Sequence, residues 1–299
     1  MDILCLDIGG TKLSGAIADE NGNLRSISTV PLFSGQDAKR IVMEAIFDFA
    51  DRVIDRNPEI KRIGISVPGL TDSEKGIWIF SPFSGIKDLN LRERLGERYN
   101  IPIYAENDVN SCALAEKRFG VCKDEQNFMW ITISYGIGGS FVINGSLFKG
   151  TNGNAGEIGH IVVDENGPAC GCGNKGCLEA VASCNAIENA YLASHPGEKK
   201  TVEELIAKTF MGDNEVAKMF YDAGYYVGKA AASAATLLDI GTLVFGGVQM
   251  TYELMEDGIA AGIDRFAFRK TGLLIKKRKT GLGNQAALYG AATVALNGD

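Results

Sequence analysis

The 299-residue sequence contains no run of the roughly 18 apolar residues that a membrane-spanning helix needs. Its first residues also lack the basic segment and the following apolar stretch of a secretory signal. These absences favour a cytoplasmic protein that has no membrane partner. With 45% hydrophobic and 22% charged residues, the chain is able to bury a large core, and its length predicts two domains.

An excess of positive charge is also missing, because the formal net charge is −7. Such a balance argues against a general surface for polyanions. The densest basic run is Lys-Lys-Arg-Lys at residues 276–279, and a solvated edge is its preferred interpretation over a nucleic-acid patch. We therefore expect no nucleic-acid partner.

Histidine is scarce, with two residues, and one of them lies in the most informative segment of the chain. His160 is followed by Cys170, Cys172 and Cys177, with glycines between the thiols that allow tight turns. Three thiolates and one imidazole form a complete tetrahedral ligand set for zinc. A glycine-rich loop with coincidental thiols is the alternative. The other cysteines are scattered, as expected of reduced, mostly buried thiols: Cys5, Cys112, Cys122 and Cys184.

A repeated pattern indicates a duplicated α/β core. Residues 3–24 read as a strand, a glycine-rich loop, a second strand and an Asn-Gly turn. Residues 129–148 repeat this order, with a glycine-rich loop at 135–140 and an Asn-Gly turn at 144–145. Each unit is typical of a β-hairpin with a turn at its far end. We expect two halves that face each other across a cleft.

Phosphate binding best explains the two glycine-rich loops, because glycine lets backbone N–H groups approach an anion. A dinucleotide-binding loop opens a helix, whereas here Lys12–Ala18 continues as a strand. The nearest imitation of a P-loop, Gly224–Ala230, has the wrong spacing and no hydroxyl for magnesium. Residues 225–238 are therefore predicted to form a small-residue helix. A structural turn remains the alternative for each loop alone, but the pair, with Asp7 beside the first, favours a nucleotide.

Four motifs carry a resemblance to a known family: Asp7-Ile-Gly-Gly-Thr-Lys12, Glu106-Asn107-Asp108-Val-Asn110, Gly156-Glu157-Ile-Gly-His160 and the run from Cys170 to Glu179. In this order they resemble the ROK family of sugar kinases and sugar-responsive repressors. The resemblance covers essentially the whole chain, including residues 243–247, which are similar to the family's adenosine-binding strand and turn.

The resemblance implies a two-domain α/β architecture, the actin-like or ribonuclease H-like ATPase fold, with a ligand cleft between the domains. We expect a small N-terminal domain at residues 1–107, completed by a C-terminal segment at 286–299 whose helix runs from Ala286 to Leu296. The larger domain, at residues 108–285, is expected to carry the zinc loop.

The implied activity is that of an ATP-dependent sugar kinase, which moves the γ-phosphoryl group to a hexose hydroxyl. Asp108 matches the catalytic base, and it follows an apolar strand at 101–105. A helix cap is the alternative for an Asn-Asp pair in this place. The sugar-binding residues implied by the resemblance are Gly69, Asn107, Asp108, Glu157, His160 and Glu179. For Glu157 or Glu179, solvating a loop or pairing with a lysine remains open.

The resemblance also implies ATP and Mg²⁺ as cofactors, with the ion held mainly by phosphates and water and Asp7 as the nearest carboxylate. Zn²⁺ is expected to be structural, with all four positions filled by protein. One ring nitrogen of His160 would bind the metal while the other reaches the sugar. The implied nucleotide-binding residues are Asp7, Gly9, Gly10, Thr11, Lys12, Ser134, Tyr135, Gly136, Gly138, Gly246 and Gly247.

Two positions depart from the family pattern. Kinases of the family usually have Gly-Thr-Gly in the second loop, where this chain has Ser134-Tyr135-Gly136. Many members have Ala-Pro-Asn where this chain has Ser81-Pro82-Phe83. The first change places a bulky ring beside the expected nucleotide, and the second alters one wall of the expected sugar pocket.

A non-catalytic, sugar-binding regulator of the ROK family is the alternative function. Repressors of this family carry a helix-turn-helix domain before the first glycine loop, which begins here at Asp7, so a kinase is preferred. A glucokinase-like activity is expected first, with fructose, mannose, allose or an N-acetylhexosamine left open. The family implies a homodimer or homotetramer.

Overall fold

The computed structural model describes residues 1–32, 37–81, 84–248, 250–268 and 274–298. The chain forms two compact units. The first unit comprises Met1–Asp124, Lys149–Ala155 and Gln285–Asp299, and the second comprises Glu125–Phe148 and Gly156–Asn284. The Pro82-Phe83 departure lies outside the described residues.

The described elements follow one another in chain order. Those of the first unit are β1 (Asp2–Ile8), β2 (Lys12–Ala18), β3 (Leu24–Pro31), α1 (Ala38–Ile54), β4 (Ile60–Val67), β5 (Leu70–Asp72), β6 (Ile77–Phe80), β7 (Lys87–Asn90), α2 (Leu91–Tyr99), β8 (Ile103–Asn107) and α3 (Asp108–Arg118). Those of the second unit are β9 (Phe128–Ile133), β10 (Ile137–Ile143), β11 (Ser146–Phe148), a 3₁₀ turn (Ile158–His160), α4 (Leu178–Ala182), α5 (Cys184–Ser194), α6 (Val202–Phe210), α7 (Asn214–Leu238), β12 (Thr242–Gly247), α8 (Thr251–Phe266) and β13 (Lys276–Lys279). After a short 3₁₀ turn (Gly283–Gln285), helix α9 (Ala286–Leu296) returns to the first unit.

The first unit is built on a five-stranded sheet in the order β3-β2-β1-β4-β8. Strands β1 to β3 are antiparallel, and β1, β4 and β8 are parallel. The sheet is covered on both faces, which explains the nearly continuous apolar run of β1. Leu4 and Leu6 pack in the cluster that includes α1, whereas Ile3 and Cys5 pack in the cluster that includes α9.

The second unit repeats this topology, because its sheet has the order β11-β10-β9-β12-β13. Again three antiparallel strands are followed by two parallel ones. The predicted Asn-Gly turn joins β10 to β11, with φ values of 53° at Asn144 and 77° at Gly145. Two successive positive φ values are those of the tight hairpin turn that this dipeptide favours. The repeat expected from the sequence is therefore present.

The glycines of α7 are explained by helix packing. A Cβ at Gly224 would lie 2.4 Å from the carbonyl oxygen of Met255, and one at Gly228 would lie 2.2 Å from that of Ile259. Both acceptors belong to α8, so the two backbones approach closely only because these side chains are absent. The predicted helix is confirmed, although it begins at Asn214, well before Tyr225.

Helix α3 lies in the first unit because it packs against α9, where a Cβ at Gly290 would be 2.6 Å from the Cβ of Ser111. The compact unit therefore extends past residue 107, where we expected the first domain to end. The division of the chain into independent domains at this residue stays a prediction. None of the helices in the described part of the chain is long and apolar enough to cross a membrane.

The basic run at residues 276–279 forms β13, an edge strand of the second sheet. Lys276 and Arg278 both contact the carboxylate of Glu125, at 3.8 and 2.8 Å, and Lys279 pairs with Glu253. Charged side chains on an edge strand also discourage pairing with another chain. The run therefore lies at a sheet edge, with three of its four side chains in ion pairs, and the preference for a solvated edge over a nucleic-acid patch stays a prediction.

Candidate functional site

The first glycine loop connects β1 to β2 in a tight turn. The N–H of Gly9 donates to the carbonyl oxygen of Lys12 at 2.8 Å, and Gly10, Thr11 and Lys12 are exposed. Asp7 precedes this turn on β1. Burial raises the pKa of its carboxyl from the ordinary value of 3.8 to about 6, and the Lys12 ammonium opposes that rise. The first unit thus presents a carboxylate, which can bind a cation, beside a short exposed turn whose backbone can approach phosphates.

Asn107 and Asp108 occupy the junction between β8 and α3. The side chain of Asn107 caps the helix by accepting the N–H of Asn110 at 3.0 Å. Its amide group also donates to the carbonyl oxygen of Gly69 at 2.9 Å and to Oδ1 of Asp108 at 3.0 Å. The N–H of Val109 donates to the same Oδ1 at 3.0 Å. The cap is therefore real, and the same hydrogen bonds fix the orientation of Asp108.

Asp7, near the end of β1, and Asp108, directly after β8, lie at the same edge of the first sheet, because β1, β4 and β8 run parallel. Burial raises the pKa of the Cys112 thiol on α3, and the charges of Asp108 and Asp7 raise it further. The structure brings together Gly69, Asn107 and Asp108 by direct contact, and it places Asp7 in their neighbourhood.

Glu106 and Lys149 were not among the site residues expected from the sequence. The Glu106 side chain is buried directly before Asn107, and the Lys149 ammonium contacts its carboxylate at 2.6 Å. The signal that could have pointed to Glu106 was a carboxylate directly after the predicted apolar strand at 101–105. Lys149 gave no such signal, because it lies in a loop 43 residues away.

The second glycine loop joins β9 to β10. The N–H of Ser134 donates to the carbonyl oxygen of Gly136 at 2.9 Å, and the Asn185 side chain donates to the carbonyl oxygen of Tyr135 at 2.7 Å. The Tyr135 ring is 43% exposed. Oε2 of Glu179 accepts the N–H of Ile137 at 3.1 Å. Glu179 therefore contacts the backbone of this loop, and its role in sugar binding stays a prediction.

The zinc-type residues come together in the second unit. One donor atom from each of His160, Cys170, Cys172 and Cys177 lies within 4.8 Å of the other three. Nδ1 of His160 is 3.7 Å from Sγ of Cys170, and the sulfurs of Cys172 and Cys177 are 3.6 Å apart. Ligands of a tetrahedral zinc ion with ordinary bond lengths are about 3.8 Å apart. Both the donor types and their spacing fit Zn²⁺.

The two ring nitrogens of His160 face different groups. Nδ1 points toward the thiols, whereas Nε2 is 4.0 Å from a carboxylate oxygen of Glu157. The turn that carries both residues packs closely, since a Cβ at Gly159 would lie 2.0 Å from the carbonyl oxygen of Ile137. Glu179 lies beside the same glycine. Glu157, His160 and Glu179 are thus neighbours around one turn.

A cavity of about 150 Å³ opens at the end of β12 in the second unit. Gly246 and Gly247 line it together with Glu253, Lys279 and Asn284. A Cβ at Gly247 would lie 1.9 Å from the carbonyl oxygen of Ile133, and its φ of 122° also excludes other residues. The missing side chains leave a recess, lined also by Phe245, Val248 and Tyr252, that can receive part of a small ligand.

Residues 3–297 match the model of a protein family described as the ROK family. The chain belongs to the ROK family. The four motifs that resemble those of the ROK family therefore occur here in a member of that family.

Relatives within the ROK family divide between two functions. The chain is 27% identical to the xylose repressor of Bacillus subtilis over 295 residues, which cover 98% of this chain and 76% of the repressor. It is 35% identical to a glucokinase of Thermotoga maritima over 228 residues, 75% of this chain and 69% of that enzyme. Membership alone therefore leaves catalysis and regulation both possible.

A solved ROK structure supports the fold. A glucokinase from Streptomyces griseus in complex with glucose and AMPPNP has a TM-score of 0.87 and 27% identity, with 100% of each chain covered. The two-domain, actin-like fold expected from the sequence is confirmed.

Proposed function

We propose that this ROK protein is an ATP-dependent sugar kinase that transfers the γ-phosphoryl group to a hexose hydroxyl, with glucose as the first candidate. The orientation of Asp108 is the observation that carries the proposal. Two donors, the Asn107 amide and the Val109 N–H, hold its Oδ1 at 3.0 Å each. A catalytic base needs such a fixed position before its basicity matters.

The proposed reaction uses Asp108 as the base. Its Oδ2 accepts the proton of the sugar hydroxyl while the hydroxyl oxygen attacks the γ-phosphorus, and ADP leaves with the electron pair of the broken P–O bond. Mg²⁺ bound with ATP would neutralise charge on the phosphates, and Asp7 is the carboxylate proposed to hold it, directly or through water. The exposed turn at Gly9–Lys12 is proposed to contact phosphate.

The second unit contributes further binding groups in this proposal. Gly246 and Gly247 are assigned to the nucleoside, and Ser134, Tyr135, Gly136 and Gly138 to the phosphates. Glu157, His160 and Glu179 join Gly69, Asn107 and Asp108 as sugar-binding residues. The neighbouring positions of the first three around one turn support this assignment.

Zinc is proposed to be structural. The thiolates of Cys170, Cys172 and Cys177 and the imidazole of His160 fill four positions, which leaves none for a reacting water. Held by its Nδ1, the His160 ring is fixed with Nε2 toward Glu157. Zinc would therefore orient the proposed sugar-binding turn without taking part in phosphoryl transfer.

A sugar-binding regulator without catalysis is the second candidate. Tyr135 favours it, because an exposed aromatic ring replaces the small hydroxyl residue usual in kinases of the family. Similarity to a xylose repressor over 98% of the chain points the same way. Either function would involve a small sugar. The proposal further includes a cytoplasmic location, no nucleic-acid or membrane partner, and a homodimer or homotetramer.

The test is ADP release with ATP and Mg²⁺ across a panel of hexoses and N-acetylhexosamines, using zinc-replete protein. We expect release that depends on one class of sugar. Tight binding of a sugar without any ADP release would overturn the kinase in favour of the regulator.

A further inference from the structure

Glu106 is a buried carboxylate directly before Asn107 and Asp108 of the proposed sugar site. It is 4% exposed. Its Oε1 accepts the N–H of Asn107 at 2.9 Å and the side-chain amide of Asn110 at 3.2 Å. Its Oε2 accepts the hydroxyl of Ser73 at 2.7 Å and the ammonium of Lys149 at 2.6 Å. Four donors thus surround one carboxylate at the end of β8.

These bonds join the residues that orient Asp108. Asn110, held by Glu106, donates its N–H to Oδ1 of Asn107, and the Asn107 amide donates to Asp108. Glu106 is therefore connected to Asp108 through Asn107, without touching it in this network. A displacement of its carboxylate would be passed to the side chain that positions the base.

Lys149 supplies the cation that this arrangement needs. A buried carboxylate without a cation is costly, so removing Lys149 would leave Glu106 free to move toward water. Lys149 also donates to the Ser73 hydroxyl at 3.0 Å, which closes a three-residue network. The lysine begins the Lys149–Ala155 segment of the first unit, and the chain then continues into Gly156 and Glu157.

We propose that Glu106 and Lys149 are positioning residues, which hold Asn107 and Asp108 in the geometry that binds the sugar and accepts its proton. The inference rests on the proposed function for its catalytic part. Its sugar-binding part holds equally for a regulator, because Asn107 is proposed to bind the sugar in both cases.

The test compares Lys149→Met with the conservative Lys149→Arg. Sugar affinity is measured by calorimetry without nucleotide, and kcat and KM are measured separately for sugar and ATP. We expect Lys149→Met to weaken sugar binding about tenfold and to lower kcat by roughly 10- to 100-fold, because a small displacement of a catalytic base lowers the reaction rate strongly. The KM for ATP should not change. Lys149→Arg keeps the charge and should stay within about threefold of the wild type.

A matched control is Lys75→Met, because Lys75 pairs with Asp72 at 3.0 Å in the same unit but is exposed. This variant should match the wild type. A Lys149→Met protein that melts earlier yet binds sugar with wild-type affinity and KM would overturn the inference, since the ion pair would then be structural only. Should Lys149→Met fail to fold, Glu106→Gln carries the same test, with wild-type sugar affinity as the contradicting result.

The two proposals can fail separately. A wild type that binds sugar without ADP release would remove the kinase, whereas the affinities of the Lys149 variants would still decide the positioning role. An active wild type with an unaffected Lys149→Met variant would remove the positioning role and leave the kinase intact.

Discussion

The two units share one sheet topology but differ in the charge at their strand ends. In the first unit, β1 is followed by a turn beside Asp7, and the outer parallel strand β8 ends at Asn107, next to Asp108. In the second unit, β9 is equivalent to β1 and ends before Ser134 and Tyr135. The strand equivalent to β8 is the basic strand β13. The shared scaffold therefore fixes where side chains are presented, whereas loop and strand-end residues decide their chemistry.

We propose that the two units of this duplicated fold serve different parts of one function. In our account the carboxylates of the first unit carry phosphoryl transfer, and the second unit carries the zinc-supported sugar turn and the recess beside Gly246 and Gly247. Substitution of the proposed base in the first unit should then reduce turnover, and loss of a zinc ligand in the second unit should reduce sugar binding.

Asp108→Asn gives the sharpest version of this contrast. An amide oxygen can still accept the Val109 N–H, so fold and sugar affinity should be retained, but an amide is a poor proton acceptor. We expect kcat to fall by about 10²- to 10⁴-fold. Steady-state kinetics and calorimetry on the same preparation check this. Unchanged turnover would remove Asp108 from its proposed role.

Cys172→Ser tests the second unit. Loss of one thiolate should release zinc and loosen the turn that carries Glu157 and His160, which weakens sugar binding by roughly 10- to 100-fold. Zinc content by elemental analysis and sugar affinity by calorimetry are the measurements. Cys184→Ala, a thiol outside the cluster, is the control and should keep its zinc. Normal zinc and affinity in Cys172→Ser would contradict the metal assignment.

Asp7→Asn should raise the KM for Mg-ATP about tenfold and leave sugar affinity unchanged. It also has a signature in stability. Because the folded protein raises the pKa of Asp7 from 3.8 to about 6, folding disfavours the ionised form. That penalty is absent below the ordinary pKa, grows between pH 4 and 6, and is complete above about pH 6.

Without nucleotide, Asp7→Asn should therefore melt roughly 3 °C or more above the wild type at pH 8, and the difference should shrink at pH 5. Thermal melting at the two pH values measures this. A variant that melts below the wild type at pH 8 would show that the Asp7 carboxylate is stabilised in the folded protein, contrary to its raised pKa.

Tyr135→Thr makes the second loop more like that of family kinases and should have the smallest effect. We expect kcat/KM for ATP to rise by roughly two- to fivefold, because a hydroxyl near phosphate replaces a bulky ring. Tyr135→Phe is the control that keeps the ring and removes only the hydroxyl. A loss of activity in Tyr135→Thr but not in Tyr135→Phe would instead make the ring part of the site.

Local patterns were sufficient to predict much of the fold. Strand β2 and helix α9 have the predicted bounds, and the Asn144-Gly145 turn follows from the φ values that this pair tolerates. The zinc-type cluster was also predictable, because its ligands lie close together in sequence.

Contacts between distant segments were not predictable in this way. The pairing of Lys149 with Glu106 spans 43 residues, and neither residue's surroundings identify the other. The position of α3 in the first unit depends on packing against α9, which begins at Ala286. Such placements are set by tertiary packing, so a local pattern cannot encode them. The roles of the individual site residues, Asp108 included, stay predictions.

One measurement tests the proposed kinase most directly. Zinc-replete protein is incubated with ATP, Mg²⁺ and the best-bound sugar of the panel, and the products are followed by ³¹P NMR. The account predicts a sugar phosphate signal that grows in step with ADP and is missing for Asp108→Asn. A sugar that binds tightly while ATP stays intact and no sugar phosphate forms would contradict it.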